Sequence, residues 1–493
     1  MMQVYNKKQE CYGCSKCKQV CPVQAIRMER DEEGFLYPVV DEGKCIYCGK
    51  CEEACIIHIE KEKKEETTVA YACSALDEEI LSRSTSGGMF YLLACAILAK
   101  GGVVYGATYR DGKVEHIRVE KIEDLRQLQG TRYVQSTMEN VLPQIEEDIK
   151  QSKYLLVSGT PCQIAAVKSL YGELTDKLLL VELFCMGVPS PQVWEDYIAE
   201  KEAEWGKIEN VNFRDKRTGW NSSSVVYSSE TQEQVFSHGM DLFINGFFQS
   251  LYMRKSCHEC RFKGENTVGD LKIGDFWGSA HFDERYKVSK GTSVVVVETE
   301  VGKQWLEMIG EQIQKEEIPY RFVKVYNPYV EVSRKPSKSR AEFFETYKQG
   351  EQKISEMISQ HLNPRFSPEQ RKILQYPVVE GFLQVKNAGR STADFFQKKG
   401  WKRIAVYGLG EMGKYLLQDL EGSEIKIDCI VDKNFTRFPK QYKGMDVIGP
   451  HELCERDYDG IVVSVVQSYN SILEVLLVQG VDLNKIVLIS ALF

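Results

Sequence analysis

The sequence has little histidine and no long hydrophobic run. Its 493 residues include 7 histidines, and His116, His238, His281 and His361 belong to no recognisable pattern of metal ligands or catalytic groups. We expect these four side chains to be structural or at the surface. The longest apolar run, Met89–Ala99, is shorter than the roughly 20 residues that a membrane-spanning helix needs. No membrane span is therefore predicted.

An excess of positive charge is also absent. The chain has 63 lysines and arginines against 71 aspartates and glutamates, a net charge of −8. Without a basic excess, nucleic acid is not expected to be a main partner. The polar N-terminal residues run directly into a cysteine-rich segment, so no secretory signal peptide is predicted. We expect a cytoplasmic protein, whose reducing surroundings keep cysteines free of disulfides.

Cysteine, in contrast, is abundant. Sixteen cysteines are present, and eight of them form two runs with the spacing C-x2-C-x2-C-x3-C. This is the spacing of the bacterial two-cluster ferredoxins, in which three closely spaced thiolates wrap one face of an iron–sulfur cube and the fourth reaches the other cube. We therefore predict two [4Fe–4S] clusters, one on a first thiol set (Cys11, Cys14, Cys17 and Cys55) and one on a second thiol set (Cys45, Cys48, Cys51 and Cys21).

Zinc and disulfides are the alternatives for this segment. Zinc sites rarely place four cysteines so tightly twice in succession. Disulfides are disfavoured because nothing marks the chain as secreted. Pro22 follows the first run, but Ile56 stands where a second proline would be usual, a departure that removes no ligand. Between the runs, residues 24–44 predict a hairpin that turns at residues 31–34.

The central region alternates strand-like and helical runs, which predicts an α/β or α+β domain. A buried helix is expected from Met89 onward. It follows the hydroxyl- and glycine-rich residues 83–88 (RSTSGG), and such a helix start exposes backbone N–H groups to an anion. An ordinary serine cap is the more common use of such residues. From these residues alone both interpretations stay open.

A third cluster is a further possibility that the spacing leaves open. Cys257 and Cys260 form a C-x2-C pair, and Cys162 and Cys185 each follow the end of a predicted strand, where α/β sheets gather their sites. The alternatives are a structural zinc site for the pair and burial as small hydrophobic side chains for the other two. We name these four cysteines the third thiol set. His258, inside the pair, is interpreted as a spacer.

Several ordered motifs resemble the family of coenzyme F420 hydrogenase/dehydrogenase beta subunits, over roughly residues 1–350. The resemblance implies a flavoprotein domain with FAD and a [4Fe–4S] cluster, passing electrons between iron–sulfur chains and a deazaflavin or another organic acceptor. It favours a cluster on the third thiol set, but F420 itself does not follow, because subfamilies act on other substrates. The motifs are residues 83–88 (RSTSGG), 130–136 (GTRYVQS), 158–163 (SGTPCQ), 185–190 (CMGVPS), 213–216 (FRDK), 257–260 (CHEC) and 273–278 (IGDFWG).

The resemblance also implies candidate FAD contacts. Arg132 stands where the family often has lysine, which keeps the positive charge. The alternatives are a surface charge cluster for the basic pair and a core position for the tryptophan. The implied contacts are Ser84, Ser86, Gly87 and Gly88 at the pyrophosphate, Arg214 and Lys216 balancing phosphate charge, and Asp275 and Trp277 at the isoalloxazine face.

The last hundred residues predict a small Rossmann-like unit. The strand Arg403–Tyr407 is followed by Gly408, Gly410 and Gly413 at a helix start, and Asp432 ends the next strand about twenty residues later. This pattern is the dinucleotide-binding fingerprint, in which glycines let the backbone approach a pyrophosphate and the carboxylate binds a ribose. The unit also resembles nucleotide-sugar and acyltransferase-partner modules of polysaccharide enzymes. Its ligand stays open: NAD, a nucleotide-sugar, or none.

The predicted organisation is an α+β / α/β multidomain chain. We expect a ferredoxin-like dicluster domain (1–60), an α/β flavin and iron–sulfur domain (69–345), a helical linker (346–400) and the Rossmann-like domain (401–493), with a boundary in the charge run at residues 60–66. The predicted function is an oxidoreductase that passes electrons from ferredoxin-type clusters through FAD to a small organic substrate, with a ferredoxin or similar protein as partner. The alternatives are a non-catalytic electron-transfer subunit and a polysaccharide-pathway protein that binds a nucleotide-sugar.

Overall fold

The computed structural model of the chain describes residues 4–59, 69–217, 219–220, 223–238, 240–264, 268–277, 279, 290–350, 352–362, 368–465 and 468–492. The predicted boundary at residues 60–66, together with Gly278 and His281, lies outside the described residues. The chain divides into two compact units, Met1–Tyr320 with Tyr329–Asn363, and Arg321–Pro328 with Pro364–Phe493. Within the described residues, no helix combines the length and apolar character needed to cross a bilayer.

The strands of the described residues fall into separate sheets. In chain order they are β1 (Ile26–Arg30), β2 (Leu36–Val40), β3 (Val69–Ala75), β4 (Val103–Arg110), β5 (Lys113–Val119), β6 (Leu155–Gly159), β7 (Leu178–Leu183), β8 (Ile208–Asp215), β9 (Ser224–Ser229), β10 (Glu233–Ser237), β11 (Leu271–Asp275), β12 (Ser293–Val297), β13 (Ile313–Ile318), β14 (Arg403–Tyr407), β15 (Lys426–Val431), β16 (Gln441–Tyr442), β17 (Met445–Ile448), β18 (Gly460–Val463) and β19 (Ile486–Leu488).

The α-helices of the described residues lie between these strands and at the ends of the sheets. In chain order they are α1 (Lys16–Gln19), α2 (Lys50–Glu53), α3 (Glu78–Arg83), α4 (Met89–Ala99), α5 (Leu142–Lys150), α6 (Pro161–Tyr171), α7 (Pro191–Trp205), α8 (Leu242–Phe248), α9 (Glu300–Met308), α10 (Tyr320–Tyr326), α11 (Arg340–Gln349), α12 (Ile354–His361), α13 (Pro368–Asn387), α14 (Ala393–Lys399), α15 (Glu411–Asp419) and α16 (Tyr469–Val478).

The N-terminal segment contains the predicted hairpin. β1 and β2 pair antiparallel, with Ile26 opposite Val40. The turn is closed by Asp31, whose Oδ1 accepts hydrogen bonds from the backbone N–H groups of Glu33 (3.1 Å) and Phe35 (3.0 Å). An aspartate that bonds its own turn in this way is a common device for reversing the chain. The hairpin joins the two cysteine runs, as expected.

A large mixed sheet forms the core of the first unit, in the order β13-β3-β12-β11-β7-β6-β4-β5. β4, β6, β7 and β11 run parallel, so their carboxyl ends lie along one edge. Helix α4 is buried against this sheet, as its apolar sequence predicts. Cys162 and Cys185 come just after β6 and β7, and Asp275 ends β11. Candidate site residues therefore gather at the edge where parallel sheets place their sites. A separate antiparallel sheet, β10-β9-β8, contains Arg214 near the end of β8.

Two stretches of residues 301–400 have the apolar period of a helix without forming one continuous helix. Residues 304–314 have this period, but the helix ends at Met308, and residues 313–318 form β13, which pairs with β3 at the sheet edge. Ile313 and Ile318 are buried while the polar residues between them alternate outward, so pairing with an existing sheet edge overrides the helical period. Residues 341–362 also have a helical apolar period, but the helix ends at Gln349 because Gly350 adopts a left-handed conformation (φ +67°) that ends a helix.

The second unit is built on a sheet in the order β16-β17-β15-β14-β18-β19. The strands from β17 to β19 are parallel, and only the short β16 runs antiparallel at the edge. Successive strands are added first on one side of β14 and then on the other. The strand order reverses beside β14, and Gly408 follows this strand directly. Crevices at such reversal points are where open parallel sheets bind ligands.

Candidate functional site

The first thiol set comes together in the structure. Its four cysteines line one small cavity beside Tyr12. Burial raises the pKa of Cys17 well above its usual range, and Cys14, Cys11 and Cys55 raise it further because they are close by. Gly13 (φ +67°) and Ser15 (φ 64°) are left-handed, which lets the chain between the thiols curl tightly before α1. The fourth thiol therefore comes from the second cysteine run, the grouping that the spacing predicts.

The second thiol set lines a second small cavity and is more open. Burial raises the pKa of Cys51, with Cys21 and Cys45 near enough to raise it further. Backbone N–H groups point at two of the sulfur atoms, Ala25 N to Cys21 Sγ (3.2 Å) and Tyr47 N to Cys45 Sγ (3.4 Å), contacts that would stabilise thiolate charge. Cys48 is exposed, next to side chains that are 59% (Ile46) and 65% (Tyr47) exposed.

The third thiol set also converges, although its members span about a hundred residues. Burial raises the pKa of Cys162 well above its usual range, and Cys260, Cys185 and Cys257 raise it further by proximity. Cys162 lies in the first turn of α6, where the helix dipole favours a thiolate. Across the described part of the chain, no three Cys, His, Asp or Glu side chains form a ready site for a single metal ion.

The three thiol sets are neighbours in a fixed order. Cys17 and Cys51 belong to one apolar cluster, which places the first and second sets side by side. Tyr12 and Cys14 pack in another apolar cluster with Cys162 and Cys260, which joins the first set to the third. The first set therefore lies between the other two. Such a series of closely spaced thiol sets is the arrangement that stepwise electron transfer needs.

A basic cavity of about 820 Å³ lies near the edge of the main sheet. Ser84 and Thr85 line it together with a group of cations, and Asp215 also faces it. Its volume falls within the range of pockets for small ligands and cofactors, and its positive charge favours an anionic one. The cationic lining residues are Arg83, Arg126, Arg132, Arg214, Lys216, Arg217 and Lys290.

Two arginines of this cavity have unused donors. Arg214 is buried and donates from Nη1 to Asp275 Oδ2 (2.9 Å), but its Nη2 has no hydrogen-bond partner among the described residues. Arg132 Nε is likewise unpartnered there. Burial lowers the pKa of Arg132 to about 10, which leaves it cationic at neutral pH. Because buried donors are rarely left unpaired, these two atoms fit an anionic ligand in the cavity.

The predicted phosphate contacts are largely bonded within the protein. Ser84 Oγ donates to the Ile80 carbonyl (2.8 Å), and Ser86 Oγ donates to the Thr292 carbonyl (2.7 Å). The Gly87 N–H donates to Ser293 Oγ (2.9 Å). A Cβ on Gly87 would lie 2.3 Å from the Cys73 carbonyl oxygen, so only glycine fits there, and Gly88 is left-handed (φ +85°) where α4 begins. These four residues shape the loop, and their contact with a phosphate stays a prediction.

Lys216 holds this loop in place. Its ammonium donates to the carbonyl oxygens of Leu81 (2.8 Å), Ser86 (3.0 Å) and Lys290. Burial lowers the pKa of Lys216 to about 8. The sequence did not single out four further cations of the cavity. Arg83 and Arg217 adjoin the predicted contacts Ser84 and Lys216, and Arg126 and Lys290 come from other segments.

Asp275 and Trp277 form one cluster with Arg214. Asp275 Oδ1 accepts a hydrogen bond from the indole N–H of Trp220 (3.2 Å), while Oδ2 accepts from Arg214. The Trp220 and Trp277 rings stack with centroids 5.2 Å apart, and the Arg214 guanidinium lies 4.8 Å from the Trp277 ring. Trp277 is 40% exposed, which excludes the core position considered for it. It is an aromatic surface anchored next to a cation of the cavity.

In the second unit, the glycine motif forms a tight strand-to-helix turn. Gly408 is left-handed (φ +106°), and a Cβ on Gly413 would lie 2.1 Å from the Gly408 carbonyl oxygen. Gly410 precedes the first residue of the helix and has open space around it. Asp432 uses Oδ2 to accept from the Leu409 N–H (2.9 Å) and Oδ1 to accept from the Asn434 N–H (2.8 Å). The carboxylate thus braces the loop, and its ribose contact stays a prediction.

Comparison with known families divides the chain into recognisable parts. The family model described as 4Fe-4S dicluster domain matches residues 10–59. The model for the C terminus of the coenzyme F420 hydrogenase/dehydrogenase beta subunit matches residues 152–320. Residues 400–487 match a model described as C2185-like, N-terminal.

Individual proteins are also similar to this chain. The F subunit of the F(420)H(2) dehydrogenase of Methanosarcina mazei is 23% identical over 348 residues, which are 66% of this chain and 89% of that protein. A chain of the F420-reducing [NiFe] hydrogenase complex from Methanosarcina barkeri, solved with xenon derivatization, is 20% identical and covers 59% of this chain and 91% of its own length, with a TM-score of 0.36. With the thiol sets and the family matches in agreement, this chain is an iron–sulfur electron-transfer protein related to the coenzyme F420 hydrogenase/dehydrogenase beta subunits, with a 4Fe-4S dicluster domain in its N-terminal region.

Proposed function

We propose that this protein is a flavin-dependent oxidoreductase. Electrons would pass along the three thiol sets, each holding a [4Fe–4S] cluster, to FAD in the basic cavity, and from there to an organic acceptor. Electron flow in the reverse direction would use the same thiol sets and the same cavity. The protein's share of the work is to hold the cofactors in line and to tune them, because the redox chemistry belongs to the cofactors.

One observation carries the proposal: the third thiol set and the basic cavity meet at adjacent strand ends. Cys185 follows Phe184, whose N–H donates to the Ile273 carbonyl (2.8 Å) on the neighbouring strand. Phe184 packs so closely on Gly274 that a Cβ there would lie 2.3 Å from its ring. The next residue, Asp275, bonds Arg214 of the cavity. A cofactor beside Arg214 would therefore be connected to the cluster ligand Cys185 through the short series of contacts between Asp275, Gly274 and Phe184.

The residues of the cavity suit a flavin nucleotide. Arg132 and Arg214 each offer a buried donor without a partner in the described structure, which matches the charge of a pyrophosphate. Beside the cavity, Trp277 contacts Arg214 and offers an exposed aromatic surface for a planar ring. When bound, FAD exchanges single electrons with iron–sulfur clusters and hydride with organic molecules. The Methanosarcina mazei relative is named for F420, a deazaflavin, which makes F420 the first acceptor to test here.

The test is a count of iron and flavin on protein purified without oxygen. We expect about twelve iron atoms, four per cube over three sites, and one flavin per chain. Cys162→Ala should lower the iron by about four atoms and leave the two N-terminal clusters in place. Cys454→Ala, which changes an exposed thiol outside all three sets, is the matched control and should keep the full count. A count of eight iron atoms in the wild type would refute the third cluster. Absence of flavin would refute the proposal that the protein is a flavin-dependent enzyme.

A non-catalytic subunit that serves a partner enzyme is the second candidate. The open side of the second thiol set favours it, because Cys48, Ile46 and Tyr47 are exposed where another redox protein would have to approach. The two candidates differ in what happens to the flavin. If reduced ferredoxin bleaches the bound flavin and a small organic acceptor re-oxidises it without another protein, the chain is the enzyme. If re-oxidation requires a second protein, the chain is the non-catalytic electron-transfer subunit.

The second unit is proposed to be a Rossmann-like module that binds a nucleotide. Its glycine turn beside the strand-order reversal supports this, since both features place backbone N–H groups near a crevice. NAD and a nucleotide-sugar are the two ligands to compare by calorimetry. Gly410→Val would fill the open space at the helix start and should abolish binding of either ligand. Binding of a nucleotide-sugar alone would favour the polysaccharide-pathway alternative.

A further inference from the structure

A buried arginine lies between two of the thiol sets. The Arg254 side chain is 1% exposed. Its Nε donates to the Cys11 carbonyl (2.9 Å), and its Nη2 lies 3.7 Å from Cys11 Sγ. The backbone carbonyl of the same residue accepts a hydrogen bond from the Cys257 N–H (3.0 Å). One residue thus contacts a thiol of the first set with its side chain and positions a thiol of the third set with its backbone.

The guanidinium is held rigidly. Nη2 also donates to the Leu36 carbonyl (2.9 Å), and Nη1 donates to Gln135 Oε1 (3.2 Å). The Tyr37 ring lies 4.5 Å from the guanidinium carbon. The guanidinium also packs closely against Gly13, because a Cβ on that residue would lie 3.0 Å from Arg254 Nη1. A tightly held cation in a low-dielectric setting acts strongly on nearby charges.

No carboxylate of the described residues lies within ion-pair distance of this guanidinium, in contrast to buried Arg340, which pairs with Glu33 at 2.6 Å. A buried charge without a counter-charge is costly. The nearest negative groups are thiolate sulfurs, once the thiol sets hold iron. A cluster with four thiolate ligands carries a net negative charge, and reduction adds one more negative charge. This charge would compensate the positive charge of the Arg254 guanidinium.

We propose that Arg254 is a positioning residue that raises the reduction potential of the first cluster and, more weakly, of the third. This inference rests on the proposed clusters at those two sets. The step that it affects is a single electron transfer, in which one cluster is oxidised as its neighbour is reduced, with no bond made and no proton moved. A fixed cation near both clusters stabilises the electron on either of them, and more strongly on the first. Hydrogen bonds and charge near the sulfur atoms are the protein's means of setting such potentials.

The experiment is a reductive titration of the full-length, iron-loaded protein, followed by electron paramagnetic resonance. Cys48→Ser and Cys162→Ser assign the signals of the second and third clusters. In Arg254→Gln we expect the first cluster to become about tenfold harder to reduce, equivalent to 59 mV for a one-electron couple. The third cluster should shift in the same direction by less, and the second cluster, which has no contact with Arg254, should not move. Arg254→Lys keeps the charge and should restore most of the potential.

Lys16 provides a matched comparison. It is buried near Cys14 and Cys55 of the first set and has no thiol of the third set as a neighbour. Lys16→Met should therefore shift the first cluster alone, whereas Arg254→Gln shifts the first and the third. Unchanged potentials in Arg254→Gln would overturn the proposal, and so would equal shifts of all three clusters. Loss of first-cluster iron in both Arg254→Gln and Arg254→Lys would also overturn it, because the residue would then be structural. A wild-type count of eight iron atoms would instead refute the third cluster of the proposed function.

Discussion

At the scale of single residues, burial makes His116 a pH-dependent side chain. Its Nε2 lies 2.9 Å from the Ser158 carbonyl oxygen, which can only accept, so this nitrogen carries the proton. Its Nδ1 has no hydrogen-bond partner among the described residues, and burial lowers the pKa of His116 to about 4. Ser158 lies in β6, the strand that ends just before Cys162. Neutral His116 therefore supports the strand end that presents this thiol.

We predict that His116 makes stability fall in acid. Its folded-state pKa lies below the unfolded value of about 6.5, so the unfolded chain binds the proton more readily. Stability is thus full above about pH 6.5 and is lost as the pH falls toward 4, by about 3 kcal/mol in the free energy of unfolding. In urea unfolding at pH 7 and at about pH 5, wild type should lose more stability than His116→Gln. Equal losses in the two proteins would contradict this assignment.

Residues whose partners are close in sequence could be predicted, and those with distant partners could not. The thiols of the first and second sets are spaced so regularly that their grouping follows from the chain alone. Arg254, in contrast, is defined by a buried position without a carboxylate in the described structure, and its hydrogen-bond partners lie more than a hundred residues away in the sequence. Ser86 and Gly87 look like phosphate contacts in the sequence because their hydrogen bonds to Thr292 and Ser293 are invisible there.

At the scale of elements, the N-terminal hairpin is fixed to the main body of the first unit by buried charge. Glu33 pairs with Arg340 (2.6 Å) and Lys255 (2.9 Å), and these cations lower its pKa against the effect of burial. The Glu33 carbonyl also accepts a hydrogen bond from Ser190 Oγ (2.6 Å). The segment that holds two thiol sets is therefore held to the sheet domain, and the distance between the first and third sets is fixed.

We predict that Glu33→Gln loosens this attachment. Removing one partner of a buried ion pair leaves uncompensated charge and costs about 3–5 kcal/mol. Thermal unfolding should show a lower midpoint, and limited proteolysis should release the N-terminal segment sooner. Glu32→Gln is the control, since Glu32 is an exposed neighbour paired with Lys8 and should change the midpoint little. Matching midpoints for both variants would show that the hairpin is held by other contacts.

Elements were predictable where a local pattern agreed with the tertiary setting. The apolar helix α4, the β1–β2 hairpin and the strand β14 with its glycine turn were all visible in the sequence. β13 was not visible in the sequence, because residues 304–314 have a helical apolar period. Residues 313–318 become a strand only because they pair with β3. The third thiol set could be grouped because Cys162 and Cys185 follow the ends of parallel strands, which meet at a common edge, and because the family resemblance adds the Cys257 and Cys260 pair.

At the scale of the whole molecule, the two compact units divide the chemistry between them. All twelve cysteines of the three thiol sets lie in the first unit, which also contains the basic cavity. The second unit contains the glycine turn and also a short stretch of earlier chain, Arg321–Pro328. Within that unit Phe322 lies against His451 with ring centroids 4.2 Å apart, and Tyr326 OH lies 3.0 Å from His451 Nδ1.

We predict that Phe322→Ala destabilises the second unit and leaves the iron count unchanged. Truncation of a buried phenylalanine typically costs about 3–5 kcal/mol. Calorimetry should show one unfolding transition moving to lower temperature while the visible absorption of the iron–sulfur clusters persists. Leu483→Ala, at an exposed position in the same unit, should leave both observations as in wild type. Loss of iron in Phe322→Ala would show that the units do not unfold separately.

The exchange of the fourth thiol between the two cysteine runs has a consequence for biogenesis. Cys55 closes the site begun by Cys11, and Cys21 closes the site begun by Cys45, so neither run offers a complete set of sulfur atoms by itself. A half-synthesised segment that has left the ribosome only as far as the hairpin cannot mature either cube. Insertion of the inorganic cores must wait for both runs and should then occur as a single cooperative event.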